Sequence, residues 1–353
     1  MCQQNNKLKQ LVQSTQLIII GTITGLLIIE IILRILGIGY GNAPLINDPV
    51  FHHIHPKSYA FRSHDPCHEY GGHHVFYDQD GLVSYTKNFH PKSEYTKKIA
   101  FLGDSFTEAT QVAYADSFAG IIQNEHKDVL VKNYGVSSYS PIFYCLLWEQ
   151  KVKFFKPDIV IMQLYSNDIS SDESYKKIAV FSNDGQIKAI PGPPQNIVTQ
   201  LLRNFYLARF IRKIQLQLNW YFTHEKQENK KVVSGYIEEN PDLSQLSKDL
   251  ILKCKQDVVK SGAEFYLFAI PSKYRLTKAE LAKHSLQSHE FSDKVKLWAN
   301  QQHINFIDMT DSFRKQSLSG RQLFFKKDIH LTKFGHQCVA KDLSKNIFTT
   351  KKR

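Results

Sequence analysis

The sequence predicts an α/β protein in which a central parallel sheet lies between two layers of helices, behind one N-terminal transmembrane helix. Two observations support this fold class. From residue 97 onwards, short apolar runs bounded by turn residues alternate with amphipathic segments of helical periodicity. Near the N-terminus, an apolar stretch is about as long as the 20 residues that a bilayer core requires.

The alternation predicts five strands and five long helices. The predicted strands are 99–103, 129–135, 158–165, 264–271 and 304–308. The predicted helices are 116–126, 141–155, 244–261, 291–302 and 333–346. Apolar strands separated by amphipathic helices imply a flavodoxin-like three-layer α/β/α sandwich with a parallel sheet covered on both faces. In such sheets the ligand site forms outside the carboxyl ends of the strands.

The apolar stretch from Leu17 to Gly41 is interrupted only by Glu30 and Arg34. These two residues are four apart, so they share a helix face and can pair. We predict a cytoplasmic N-terminus at 1–16 and a transmembrane helix at 17–40.

The distribution of basic residues predicts the orientation of this helix. Lys7 and Lys9 precede it, and after Arg34 the next basic residue is Lys57. The positive-inside rule then places the N-terminus in the cytoplasm and the rest of the chain outside it, in the periplasm or its equivalent. A cleaved signal peptide is the alternative, although the run exceeds a usual signal core and only the small residues 41–43 resemble a cleavage site.

The remainder divides at about residue 97. Residues 41–96 are polar and rich in His and Gly, which predicts a loop-rich linker or accessory segment. Residues 97–350 form the predicted domain, and an insertion at 170–243 interrupts its alternation. Within the insertion, residues 197–222 have the apolar spacing of a helix. We interpret this helix as packed against the domain, with a lid or a helix resting on the membrane surface as alternatives.

Composition excludes little but weakens several function classes. The chain has 353 residues with 45 basic and 33 acidic side chains, a net charge of +12. The lysines are scattered and no nucleic-acid motif accompanies them, so we expect no nucleic-acid partner. The cysteines of the exported part show no C-x-x-C spacing, and free thiols and disulfides both remain open; they are Cys67, Cys145, Cys254 and Cys338.

Polar side chains able to take part in catalysis follow two of the predicted strands and precede the last helix. Gly-Asp-Ser at 103–105 ends the first strand, which puts Ser105 at the carboxyl edge of the sheet. A neutral serine needs a base, and Asp328 and His330 stand two apart in extended chain, so the carboxylate can orient the imidazole. Asn167 follows the third strand and brings an amide that can donate to an oxyanion.

This order of motifs resembles the SGNH, or GDSL-type, hydrolase family from about Lys97 to Phe348. The resemblance implies a three-layer α/β/α fold and ester hydrolysis without a cofactor. It assigns the nucleophile to Ser105, the acid and base to Asp328 and His330, and oxyanion donors to the Ser105 backbone and to Asn167.

The chain departs from the family pattern at two positions. In the family's N-x-G-x-x-G block, Asn133 and Gly135 fit, but Ser138 occupies the place of the second glycine. Ser138 would keep the donor N–H while Gly135 is structural, although either residue is a candidate for the oxyanion hole. Tyr165 stands where a glycine is common, which leaves the substrate class open.

Several of these residues also have a structural interpretation. Ser105 is also a preferred helix N-cap residue, and we read Asp104 and Asp168 as structural. The His-rich stretch 68–74 lacks the spacing of a zinc protease, because His68 and His73 are five apart with two glycines between them. We therefore expect no metal.

Taken together, the sequence predicts a membrane-anchored, outward-facing serine esterase. Its substrate would be a small-molecule, glycan or lipid acyl ester. A polysaccharide O-acetyltransferase with the same triad and a catalytically silent glycan-binding or scaffold protein are the alternatives.

Overall fold

The computed structural model describes residues 2–36, 45–65, 68–88, 94–183, 185–194, 196, 204–224, 242–279 and 291–348. Several predicted features lie outside the described residues. They are the end of the membrane span at 37–40, the small residues 41–43, Cys67, the start of the 197–222 helix and the last residues of the 97–350 domain.

Twelve strands are present in the described residues. They are β1 Ile46–Asp48, β2 His52–Ile54, β3 Tyr59–His64, β4 Gly71–Tyr77, β5 Val83–Ser84, β6 Lys97–Leu102, β7 Val129–Asn133, β8 Ile159–Leu164, β9 Val180–Phe181, β10 Ile187–Ala189, β11 Glu264–Ala269 and β12 Asn305–Ile307. Eight of these strands form one sheet, in the order β12-β11-β8-β6-β7-β5-β4-β3.

Eleven α-helices are described, together with two 3-10 turns and one π-helical turn. The α-helices are α1 Cys2–Leu36, α2 Ser105–Glu108, α3 Phe118–Glu125, α4 Pro141–Leu147, α5 Lys153–Phe155, α6 Asp168–Lys176, α7 Tyr206–His224, α8 Gln245–Lys260, α9 Phe291–Gln301, α10 Thr310–Leu318 and α11 Lys333–Phe348. The 3-10 turns are Tyr114–Asp116 and Lys273–Arg275, and the π-helical turn is Trp148–Val152.

The predicted parallel strands form the centre of the sheet and confirm the fold class. Strands β6, β7, β8, β11 and β12 pair in parallel. In chain order they have the 2-1-3-4-5 arrangement of flavodoxin-like folds.

Helices cover both faces of this sheet because successive residues of each strand point to opposite sides. In β6, Ile99 and Phe101 belong to one hydrophobic core, with α3, α10 and α11. Ala100 and Leu102 belong to the other, with α4, α8 and α9. The result is a three-layer sandwich, as predicted.

The segment at 41–96 differs from the loop-rich linker that its composition predicted. Strands β3, β4 and β5 extend the sheet in antiparallel fashion beyond β7, and the sheet is therefore mixed. The prediction missed them because Gly and His interrupt the apolar pattern, and because β5 is only two residues long.

Helix α1 is long and apolar enough, over Lys9–Leu36, to cross a membrane, and a signal sequence would have the same properties. Its apolar side chains are mostly exposed, which is typical of a helix whose solvent is lipid rather than the protein core. Near its C-terminal end Glu30 and Arg34 form the predicted ion pair, with Arg34 Nε 2.7 Å from Glu30 Oε1.

Candidate active site

Ser105 is the first residue of α2, immediately after β6. The preceding Asp104 caps this helix, and its Oδ1 accepts a hydrogen bond from Phe106 N at 2.9 Å. Gly103 is required at the turn, since a Cβ there would lie 2.0 Å from Thr107 Oγ1. The turn therefore presents the serine at the carboxyl edge of the sheet, as predicted.

His330 meets Ser105 across the sheet edge although 225 residues separate them in the chain. Its Nε2 lies 2.7 Å from Ser105 Oγ, and its Nδ1 lies 2.5 Å from Asp328 Oδ1. The backbone N–H of His330 donates to the same carboxylate oxygen at 2.7 Å. The predicted nucleophile, base and acid thus form one hydrogen-bonded chain.

Charge and burial together tune these groups. Burial acts to lower the pKa of His330, but the hydrogen bond and charge of Asp328 outweigh it, and the net pKa is raised above its ordinary value. Burial raises the pKa of Asp328, yet bonding to His330 leaves it below its ordinary value. The pair favours an ionised carboxylate beside an imidazole that accepts protons readily.

Asp104 is the other carboxylate beside this histidine. Burial raises the pKa of Asp104 to about 6, against the opposing effects of the Phe106 N–H and the His330 charge. Its Oδ2 is buried without a partner among the described residues, so the group is poorly solvated. Its hydrogen bond to the α2 backbone agrees with the structural role that the sequence suggested.

Two residues that the sequence analysis missed hold the loop that carries Asp328. Glu69 accepts hydrogen bonds from the backbone N–H groups of Lys326, Lys327 and Asp328, at 2.8, 2.6 and 3.1 Å. Lys273 Nζ donates to the carbonyl oxygens of Phe325, Lys326 and Asp328 at 2.9 to 3.0 Å. No sequence signal identifies either residue, because both act on backbone atoms far away in the chain.

The loop after β7 lies beside the nucleophile turn. Tyr134 N donates to Phe101 O at 2.9 Å, and Val136 N donates to Gly103 O at 3.2 Å. Ser138 adopts a left-handed conformation with φ at +68°, which glycine would adopt at lower cost. Its N–H forms no hydrogen bond with any described residue.

Gly135 is structural in this loop. Its N–H donates to Asn133 Oδ1 at 2.9 Å, so it is not free to bind an oxyanion. A Cβ at this position would lie 2.4 Å from the Glu108 backbone nitrogen. Of the two candidates that the sequence left open, Ser138 is the one with an available N–H.

The two other candidate donors are also available. In the first turn of α2, the N–H groups of residues 106–108 all bond to Asp104, whereas that of Ser105 has no partner among the described residues. Strand pairing of Leu102 with Met162 puts Asn167 at the same sheet edge. Its side-chain amide nitrogen forms no hydrogen bond to any described residue, and its Oδ1 is buried and unbonded there.

Glu108 connects the nucleophile helix to this loop and is fully buried. Its Oε2 accepts a hydrogen bond from Ser137 N at 2.8 Å and another from the Ser137 hydroxyl. Its Oε1 lies 3.0 Å from His55 Nε2 and 3.1 Å from the Tyr77 hydroxyl. Burial opposes its ionisation, but these partners, His55 foremost, hold the pKa of Glu108 below its ordinary value.

Histidines from the accessory segment serve as hydrogen-bonding residues around this site. His53 Nε2 bonds to Ser137 O at 2.8 Å, and His73 Nε2 lies 3.1 Å from Thr110 O. Among the residues that the structure describes, no group of three or more His, Cys, Asp or Glu side chains is placed to hold a metal ion.

A cavity of about 480 Å³ adjoins the His330 loop. Aromatic rings of Tyr70, Phe325 and Phe334 line it, and Phe325 N donates to His330 O at 3.0 Å. The Arg321 guanidinium lies 4.9 Å above the Phe334 ring. Gln111 also lines the cavity, with a buried Oε1 that has no partner among the described residues.

Part of the chain is similar in sequence to a known protein family. Residues 217–353 match the family described as "SGNH hydrolase-like domain, acetyltransferase AlgX". The matched region contains Asp328 and His330, and Ser105 lies before it. These residues are therefore similar in sequence to an SGNH hydrolase-like domain.

Solved structures similar to this chain include several hydrolases. LAE5, an alpha/beta hydrolase enzyme from the metagenome of Lake Arreo, Spain, is 12% identical, with 72% of this chain and 95% of that chain covered and a TM-score of 0.40. Axe2, an acetylxylan esterase from Geobacillus stearothermophilus, is 15% identical over 72% and 95%, with a TM-score of 0.41. TesA is 12% identical over 71% and 98%, with a TM-score of 0.40. No curated protein is similar enough in sequence to match.

Tyr165, the second departure of the SGNH-like domain from the family pattern, belongs to the core. It is buried, and its ring centroid lies 4.5 Å from that of Phe106. Phe106 in turn lies 5.0 Å from the His330 ring. Tyr165 therefore supports the residues beneath the triad and does not line the described cavity.

Cys145, Cys254 and Cys338 are free thiols in this domain. Cys145 belongs to α4 and Cys254 to α8, and their side chains are neighbours in the core. Cys145 Sγ also contacts Leu250 O at 2.9 Å. Of the alternatives that the sequence left open, the structure has free thiols at these three positions.

Proposed function

We propose that this protein is a serine ester hydrolase that forms an acyl-enzyme on Ser105. The observation that carries the proposal is the continuous hydrogen-bonded chain from Ser105 Oγ through His330 to Asp328, at 2.7 and 2.5 Å. A serine hydroxyl becomes a competent nucleophile when a base within hydrogen-bond reach takes its proton and a carboxylate orients that base.

In the first half-reaction, Ser105 Oγ attacks the acyl carbonyl carbon as His330 Nε2 takes the hydroxyl proton. The carbonyl oxygen becomes an oxyanion, to which Ser105 N–H, Ser138 N–H and the Asn167 amide donate hydrogen bonds. The tetrahedral intermediate then collapses, the C–O bond to the alcohol breaks, and the departing alkoxide receives the proton from His330.

The second half-reaction repeats these roles with water. His330 removes a proton from the water as its oxygen attacks the acyl carbon of the acyl-enzyme. Collapse of the second intermediate returns the proton to Ser105 Oγ and releases the carboxylic acid. Asp328 keeps the imidazole oriented through its Nδ1 contact in both halves.

A fluorophosphonate probe tests the nucleophile. We expect it to label the full-length protein on the peptide that contains Ser105 and to leave Ser105→Ala unlabelled. Ser174→Ala, which removes an exposed hydroxyl that donates to Ser170 O, is the matched control that still reacts. An unlabelled wild-type protein would favour the catalytically silent glycan-binding or scaffold function.

Acyl transfer is the second candidate, and the family match favours it. The matched family is described as an acetyltransferase, and a sugar hydroxyl can resolve the same acyl-enzyme in place of water. Incubation with p-nitrophenyl acetate, with and without oligosaccharides, separates the two functions. A hydrolase releases acetate at the same rate in both cases, whereas a transferase yields oligosaccharides heavier by one acetyl group.

We also propose a location for this chemistry. Residues 1–16 would be cytoplasmic, α1 would anchor the chain within 17–40, and the 97–350 domain with its 170–243 insertion would lie outside the cytoplasm. The substrate would then be an acyl ester of an envelope glycan or lipid. A reporter active only outside the cytoplasm, fused after residue 348, should be active, and an inactive fusion would reverse the orientation.

A further inference from the structure

Helix α7 exposes an apolar stripe along one side. The stripe consists of Ile211, Ile214, Leu218, Tyr221 and Phe222, and each of these residues is between 40% and 70% exposed. Their spacing of mostly three and four residues puts them on one helix face. Arg212, Gln215 and Asn219 border the stripe.

A different side of α7 contacts the domain. Arg209 is buried there, with its guanidinium 5.8 Å from the Tyr59 ring centroid. Gln217 Nε2 lies 3.2 Å from His68 Nε2. Because these residues face the accessory segment, the apolar stripe is not the surface that attaches the helix to the protein.

The N-terminus of α7 is tied to α1 by hydrogen bonds. Glu30 Oε1 accepts from Tyr206 N at 3.0 Å, and Oε2 accepts from Leu207 N at 2.8 Å. Arg34 Nη2 donates to Asn204 O at 2.8 Å. The start of α7 is therefore fixed at the level of the only charged pair in the apolar part of α1.

That level lies near the outer end of the proposed span. Residues 17–29 precede Glu30 within the span without a charged side chain. At 1.5 Å per residue they extend about 20 Å of a hydrocarbon core about 30 Å thick, so Glu30 and Arg34 lie in its outer part. From there their side chains can reach the lipid head groups, and α7 begins beside them.

We propose that α7 is an interfacial helix whose apolar stripe inserts into the bilayer that α1 spans. Lipid is the occupant that fits, because the stripe begins beside a helix whose own apolar surface is exposed. Arg212 at its border supplies the positive charge that anionic head groups attract. The inference rests on the proposed membrane anchor and not on the proposed chemistry.

This placement holds the active-site edge near the membrane. His68, which contacts α7, precedes Glu69, and Glu69 holds the backbone of the loop that carries Asp328. A helix bound to the bilayer surface would therefore be connected to the Asp328 loop through His68 and Glu69.

Photo-crosslinking in lipid tests the proposal with the full-length protein. Three variants would each carry p-benzoylphenylalanine at one position: Leu218 in the stripe, Ile23 within α1, or Lys127 at the opposite edge of the sheet. Each variant is reconstituted in nanodiscs of phosphatidylcholine and phosphatidylglycerol. After irradiation, mass spectrometry should find the peptides of positions 218 and 23 heavier by one phospholipid, and that of 127 unchanged.

The outcomes separate the possible failures. A lipid adduct at position 23, with none at position 218 or at position 214 of the stripe, would contradict the proposal that α7 is interfacial and would still support the membrane anchor. Adducts at neither 23 nor 218 would reject both. Crosslinking needs no enzymatic activity, so an inactive protein with an adduct at 218 would contradict only the proposed function. A circular dichroism spectrum of each variant that matches the wild type controls for folding.

Discussion

The two sides of the candidate site are built differently. On the triad side, His330 hydrogen-bonds directly to both Ser105 and Asp328, and each of the three residues belongs to a short motif. On the other side, the loop at 134–138 is held by Glu108. Glu108 in turn contacts His55 and Tyr77 of the accessory segment.

The difference shows which features of the site depend on local sequence motifs and which depend on contacts between distant segments. In the proposed mechanism, local motifs supply the reacting atoms, whereas contacts between distant segments position the oxyanion donors. We therefore expect substitutions on the triad side to remove the chemistry itself. Substitutions on the loop side should reduce it in proportion to how far they move a donor.

The largest loss of activity is expected for Asp328→Asn, which alters the triad side. An amide cannot orient the His330 tautomer as the carboxylate does, so kcat/KM should fall by about 10⁴-fold, as in other triads. Asp80→Asn, which alters an exposed ion pair with Lys132, is the matched control and should retain full activity.

The same variant predicts a shift in the pH profile. His330 must be neutral to act as a base, and its pKa is raised in the wild type, so activity is present above that raised value and is lost as the pH falls through it. Without the hydrogen bond and charge of Asp328, burial is opposed only by the smaller effects of the Asp104 and Glu108 charges, so the pKa of His330 falls. The acid limb of kcat/KM should move to lower pH; an unmoved limb would mean that another group titrates.

Removing an oxyanion donor should have the next largest effect. Asn167→Ala deletes an amide that strengthens its hydrogen bond only as charge develops, so kcat should fall by about 10²- to 10³-fold with little change in KM. Ser170→Ala is the control, because its hydroxyl donates to the Asn167 carbonyl and not to the side chain. A rise in KM at constant kcat would instead assign Asn167 to substrate binding.

The sequence could predict the triad side almost completely. All five parallel strands and the five long helices lie within a few residues of their predicted positions, because buried strands and amphipathic helices have strong periodic patterns. Ser105, Asp328 and His330 were predicted because each reactive side chain belongs to a local motif at a strand end or before a helix.

The loop side was less predictable for physical reasons. Glu108 follows the nucleophile by one helical turn, and nothing in the sequence shows that it is buried against Ser137. Glu69 and Lys273 bond to backbone atoms, which carry no residue-specific signal. Strands β3 to β5 lack a clear apolar period in the sequence, and their sheet positions follow from tertiary pairing.

Glu108→Gln tests whether the accessory segment positions the loop. The glutamine amide would place a donor against the Ser137 N–H or against His55 and Tyr77, which displaces the loop. A shift of about 1 Å costs up to about 10²-fold in rate, so kcat should fall by about tenfold to a hundredfold while KM changes little.

Tyr77→Phe is the matched control for this variant. It removes one partner of Glu108 Oε1 and leaves both contacts between Oε2 and Ser137 in place. Its kcat should stay closer to that of the wild type. Equal losses in both variants, with the acid limb of the pH profile unchanged, would indicate a general loss of packing instead of loop positioning.

The smallest effect is expected at Ser138, where the chain departs from the family pattern. Its φ of +68° costs a non-glycine residue about 1–2 kcal/mol, and glycine in turn loses about 0.5–1 kcal/mol of unfolded-state entropy on folding. Ser138→Gly should therefore stabilise the domain by up to about 1 kcal/mol, seen as a midpoint of thermal unfolding raised by about 2–4 °C. Because the N–H is retained, kcat should stay within about twofold of the wild type.

Ser138→Ala keeps both the N–H and the backbone cost, so it should match the wild type in stability and activity. If both variants lost activity equally, the hydroxyl of Ser138 and not its N–H would be the group that acts on the substrate, and the loop side would contribute side-chain chemistry of its own.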